Sequence, residues 1–152
     1  AEWAYNLADA AARHERASAE CRLFRLVLGG ELPEAARDAQ HRLLGDLQAA
    51  LAGEDRLLHG GAAAGTLPLN AFHAVLRRLC PEKRPRDLKQ LDRALLYDVG
   101  HQGYVEYWGV LFDGRGAFAR GRFCEALRDQ DLTDQLARVT RVLDGLRELQ
   151  YQ

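Results

Sequence analysis

The clearest signal along the chain is an apolar stripe at helical spacing that recurs between glycine-rich breaks. Phe72, Val75, Leu76 and Leu79 fall at i, i+3, i+4 and i+7, on one face of a helix. They predict a helix over 69–79, closed by Cys80-Pro81. Leu43, Leu44, Leu47 and Leu51 form a second stripe, on a helix that starts near Pro33 and runs to about Leu58. Pro33 suits a first helical turn, and Glu34 falls at the positive end of the helix dipole. The segment Gly60 to Gly65 breaks that helix, and Pro85 starts another in which Leu88, Leu91 and Leu95 face one way. A turn at Asp98 to Gly103 follows, then a short helix near Tyr107 to Phe112 ended by Gly114 and Gly116. Two more helices are expected, over about Phe118–Asp129 and Thr133–Gln150. Upstream, a helical region over about Trp3–Leu28 stops at Gly29-Gly30. β-branched residues are few and strict alternation is nearly absent, so the fold class is all-α. In the last helix Leu132, Leu136, Val139, Leu143 and Leu146 alternate by four and three, a coiled-coil seam that equally fits the packed face of a bundle helix.

Two stretches repeat. Gly65, Leu67 and Phe72 have the same spacing as Gly103, Val105 and Val110, at an offset of 38 residues. The order is helix, glycine loop, helix, short linker, and then the same again. A calcium-binding helix–loop–helix needs glycine at the sixth loop position, where the chain turns sharply with positive φ. At the eighth it needs an aliphatic residue, which pairs with the twin loop in a short β-bridge. Gly65 and Gly103 fit the sixth position, and Leu67 and Val105 the eighth. The ligands are missing. Calcium takes about six to eight oxygens, largely from the first, third, fifth and twelfth positions. In the first loop these are Gly60, Ala62, Ala64 and Ala71, with no side-chain oxygen; in the second they are Asp98, Gly100, Gln102 and Gly109, with Glu106 at the ninth. Asp98, Gln102 and Glu106 make a poor metal site, and no calcium binding at cytosolic levels is expected.

On these residues the chain resembles the EF-hand superfamily in its paired, calmodulin-like form, over roughly half its length. The resemblance implies a degenerate EF-hand pair over 41–113, between an N-terminal helical region (1–40) and C-terminal helices (114–152) that lead toward a coiled coil. Ala4-Tyr5-Asn6-Leu7, Cys21-Arg22-Leu23-Phe24 and Val27 to Leu32 are similar to a run that precedes degenerate EF-hands in ciliary coiled-coil proteins such as the translin-associated factor X-interacting proteins. That similarity implies an axonemal setting in cilium or flagellum, within a microtubule-associated complex.

Composition narrows the classes. With 47% hydrophobic and 28% charged residues the chain has the balance of a globular protein, and its net charge of −1 offers no global field for nucleic acid or anionic membrane. No apolar run approaches the ~20 residues of a membrane span. Cys21, Cys80 and Cys124 are odd in number and widely spaced, which argues against a disulfide framework or zinc ribbon and for thiols in a reducing compartment, the cytoplasm. The chain has no Met and opens on Ala1-Glu2-Trp3, which predicts a piece of a longer polypeptide.

Catalytic signals are weak. None of the five histidines has metal-site spacing, and most should be solvated helix positions. The single serine, Ser18, lies in no GxSxG motif. Asp98 beside His101 reads as a turn-capping acid. Arg77, Arg78, Lys83, Arg84 and Arg86, and Arg115, Arg120 and Arg122, read first as solvated faces, with an acidic filament surface as the alternative. Trp3, Trp108, Tyr104 and Tyr107 read as core or rim packing before stacking platforms.

The expectation is therefore a non-catalytic scaffold module of the cytoskeleton, without cofactor. It would hold an amphipathic helix, from another protein or from this chain, in an apolar groove lined by Leu47, Leu51, Phe72, Val75, Leu76, Leu91, Leu95, Val110 and Leu111. Leu136, Val139 and Leu143 are the intramolecular candidates to fill it. The alternative is a calcium-responsive sensor using the second loop.

Overall fold

A computed structural model describes residues 34–150. The expected N-terminal helix at 3–28 lies outside them, as do Cys21, Trp3, His14 and Ser18. The described residues are mostly helical, all-α apart from one pair of two-residue strands. The order is α1 (Glu34–Leu58), β1 (Leu67–Pro68), α2 (Leu69–Leu79), α3 (Pro85–Val99), β2 (Tyr104–Val105), α4 (Trp108–Leu111) and α5 (Arg122–Gln150).

The chain divides into two compact units. One is Gln40–Gln130; the other includes 34–39 and 131–150 among the described residues. The first therefore extends past the boundary expected after Asp113. The reason is packing: Phe123, Cys124 and Leu127 of α5 are buried in the same core as α1, α2 and α3.

That core follows from the stripes. Leu44, Leu47 and Leu51 of α1 face Phe72, Val75 and Leu76 of α2 and Leu91 and Leu95 of α3, all essentially buried. Each such side chain contributes about 1.5–3 kcal/mol. α2 has the sharpest apolar face and the expected bounds, with Pro68 before it and Cys80-Pro81 after it. α3 has Pro85 at its start, where the missing amide costs nothing, and ends at Gly100, φ +70°. β1 and β2 run antiparallel, with Leu67 opposite Val105 and Pro68 opposite Tyr104, and Leu67 and Val105 have no exposed surface. Gly65 and Gly103, each two residues before a paired aliphatic, hold φ of +83° and +78°.

The C-terminal part corrects the sequence reading. Phe118 starts no helix: it forms an isolated bridge with Phe112, and Ala119 N donates to Leu111 O. The helix starts at Arg122 and runs unbroken to Gln150, where two helices were expected. The polar run Arg128 to Asp131, where the two expected helices would have met, has partners. Gln130 Nε2 donates to Asp87 O (3.0 Å) and Gln90 Oε1 (2.8 Å), and Lys83 Nζ donates to Gln130 Oε1 (2.7 Å). In the second unit Gln135 Nε2 donates to Asp131 Oδ2 (2.7 Å), while Val142, Leu146 and Leu149 are exposed.

Candidate functional site

All nine residues expected to line an open groove lie in the core of the unit 40–130. Eight are buried, and Val110 packs partly buried against them. In this structure the face is not open, because the chain fills it. The residues that fill it are Phe123, Cys124 and Leu127; Leu136, Val139 and Leu143 belong to the other unit. The Phe123 ring stands edge-on to Phe72, centroids 5.2 Å apart. The Cys124 thiol donates to Leu111 O at 3.4 Å. Burial pushes that thiol's pKa up, which makes it a poor nucleophile.

A single carboxylate positions this segment. Asp98 Oδ1 accepts from Arg122 N (3.0 Å) and Oδ2 from Phe123 N (2.9 Å). Asp98 thus caps α5 from the end of another helix, satisfying two first-turn amides that have no partner within α5. Gly121 makes room for it, since a Cβ there would stand 2.7 Å from Asp98 Oδ2. The Arg122 guanidinium lies 3.5 Å from the centre of the Tyr97 ring. Asp98 was expected to cap its own turn or to be a poor metal ligand; it caps a distant helix instead. Gln102 and Glu106 are exposed and line, with Asp98, Tyr104 and Gly109, an open depression of about 500 Å³. Among the described residues no three His, Cys, Asp or Glu side chains are grouped as metal ligands.

A second carboxylate, this one buried, holds the first loop. Asp55 has no exposed surface. It accepts from Ala64 N (3.0 Å), Gly65 N (2.8 Å) and the Tyr107 hydroxyl (2.6 Å), and His59 Nδ1 lies 2.6 Å from its Oδ1. Burial alone would raise its pKa. The bonds from Tyr107, the Ala64 and Gly65 amides and His59 outweigh that and hold the carboxyl well below the usual range. Burial, then the facing carboxylate, push Tyr107 up to about 12. An internal anion thus organises the first loop, where a bound cation would need oxygens that the loop lacks. The available signal was periodicity: Asp55 continues the stripe Leu44, Leu47, Leu51, and an acid on an apolar face demands donors.

The remaining candidates are surface features. Arg77 and Arg78 are exposed, with Arg77 3.6 Å from Asp92 and Arg78 3.9 Å from Glu54. His73 is half-buried beside Asp92, while His41 is exposed and packs against Phe112 and Phe118. Trp108 is half-exposed and lies against Tyr107. Among the described residues no helix is long and apolar enough to cross a membrane.

No family model, curated protein or solved structure matches the chain.

Proposed function

We propose that this protein is a non-catalytic, calcium-independent scaffold built on a degenerate EF-hand pair, and that it works by holding amphipathic helices. The observation that carries the reading is the antiparallel pairing of Leu67 with Val105, each two residues after a positive-φ glycine. That is the relationship the eighth positions of twinned loops require. Its calcium independence rests on the residues at the ligand positions. The first loop is pinned by Asp55, and Asp98, at the first position of the second, is committed to Arg122 and Phe123.

Helix holding is supported by two apolar faces. One is the groove that receives Phe123, Cys124 and Leu127. The other is the stripe Val142, Leu146 and Leu149 of α5, at i, i+4 and i+7, with more than half of each side chain's surface exposed. Such a stripe suits pairing with a helix of a partner protein. A place in a cytoskeletal or axonemal assembly rests on the resemblance of the N-terminal run alone.

The test is a pull-down with the intact chain and with the variant Val142→Asp/Leu146→Asp, each in calcium and in chelator. The scaffold reading expects a retained partner that is indifferent to chelation and lost from the variant. Binding that vanishes on chelation would instead support the sensor.

A further inference from the structure

The apolar groove is closed by a segment whose attachment has an unusual distribution. Phe123, Cys124 and Leu127 of α5 supply its fully buried apolar contact with the core, and Ala126 packs partly buried beside them. Everything else that ties residues 121–130 down is polar or at the rim. Asp98 holds the first two amides, Arg122 covers Tyr97, and Gln40 Nε2 donates to Arg128 O at 3.0 Å. Gln130 meets Asp87, Gln90 and Lys83. Water can replace such bonds at small net cost, about 0.5–1.5 kcal/mol each. The preceding stretch carries Gly114, Gly116 and Gly121 and no helix.

We propose that residues 121–130 are a displaceable internal ligand of the groove, latched by Asp98, and that the groove's external occupant is an amphipathic helix with the same aromatic–small–leucine spacing. The inference rests on the scaffold reading above and assigns that module a regulated site. The occupant's chemistry is read from what sits there. A large ring meets Phe72 edge-on, a small side chain fits against Leu111 O, and a leucine one turn later completes the face. The latch works because Asp98 holds the first two amides of α5, which have no partner within that helix. Removing that carboxylate weakens the hold on the internal ligand while leaving the apolar residues of the groove in place.

The experiment uses the intact chain and two readouts. The first is thiol trapping at Cys124, followed by mass spectrometry of its peptide, beside amide exchange of Leu44, Leu47, Phe72 and Leu76. A latch exposes Cys124 by local opening, so trapping in the wild type depends only weakly on low denaturant. Asp98→Ala, with Asp98→Asn as the milder variant, speeds it by about five- to tenfold, the fold-change that corresponds to a lost helix cap. The core amides stay protected. The second readout is binding of a labelled peptide of residues 118–131, expected to be at least about fivefold tighter to Leu127→Ala, which weakens the internal segment but keeps Asp98 and the groove, than to wild type. Cys124 trapping that rises with denaturant in step with exchange at Phe72 and Leu76 would overturn the proposal, because the segment would then open only with the whole core. A folded Leu127→Ala that binds the peptide no better than wild type would overturn it too. If Asp98→Ala does not fold, the wild-type denaturant series decides alone. Calcium plays no part here, so failure of the latch and failure of calcium independence are separate outcomes.

Discussion

The Tyr107 hydroxyl donates a 2.6 Å hydrogen bond to Asp55 Oδ2 across 52 residues of sequence, and neither side chain is exposed. The bond joins the end of α1 to the residue that follows β2 closely. Asp55 also holds two amides of the first loop, so one buried anion fixes that loop and ties it to the second half of the repeat. Tyr107→Phe leaves the carboxylate one donor short. It should lower stability by about 1.5–3 kcal/mol, measured by urea unfolding.

The same pair gives a pH dependence of definite sign. Asp55 has a depressed folded pKa, so its contribution is complete above the unfolded carboxylate value of about 3.9 and is lost as pH falls toward the folded one. Tyr107 has a raised pKa, so its contribution is complete below about 10 and is lost as pH rises through about 12. Unfolding midpoints across the alkaline range should therefore fall less steeply in Tyr107→Phe than in wild type.

Gly121→Ala should act through Asp98. The new Cβ would stand 2.7 Å from Asp98 Oδ2 and push the carboxylate off the Arg122 and Phe123 amides. The expected loss is that of a helix cap, about 0.5–2 kcal/mol. Asp98→Ala/Gly121→Ala should be little worse than Asp98→Ala alone, because both remove one interaction. Additive losses in the thermal melts would show that Gly121 matters for another reason.

How much of this was legible in the sequence depended on which signals were local. α2 was readable at both ends because its stripe is complete and proline stands near each boundary. The pairing partners Leu67 and Val105 were readable from spacing to glycine. The unbroken α5 was not, because Arg128 to Asp131 look solvated until Asp87, Gln90 and Lys83 are seen to surround Gln130. The groove residues were correctly apolar. Whether their face was open was not readable, since that depends on where Phe123 and Leu127 arrive in space. Asp98 is the same kind of miss. Its partners lie 24 and 25 residues on and are backbone amides, which leave no mark in the sequence.

Leu67→Ala should cost about 2–5 kcal/mol, as for a fully buried leucine, and loosen both loops together because Leu67 is paired with Val105. Amide exchange checks it: Val105 and Leu69 should lose protection along with the first loop. By contrast Leu146→Glu, on the exposed stripe of α5, should change stability by no more than about 0.5 kcal/mol while weakening any helix pairing seen by sedimentation.

The most direct test of the central claim is thermal unfolding of the intact chain in millimolar calcium and in chelator. A calcium-independent pair, its first loop held by Asp55 and Asp98 committed to α5, predicts superimposable transitions. A micromolar site would stabilise the chain by about 4 kcal/mol at a thousandfold excess over its dissociation constant, a shift of several degrees. A transition moved upward by calcium on that scale would contradict the account.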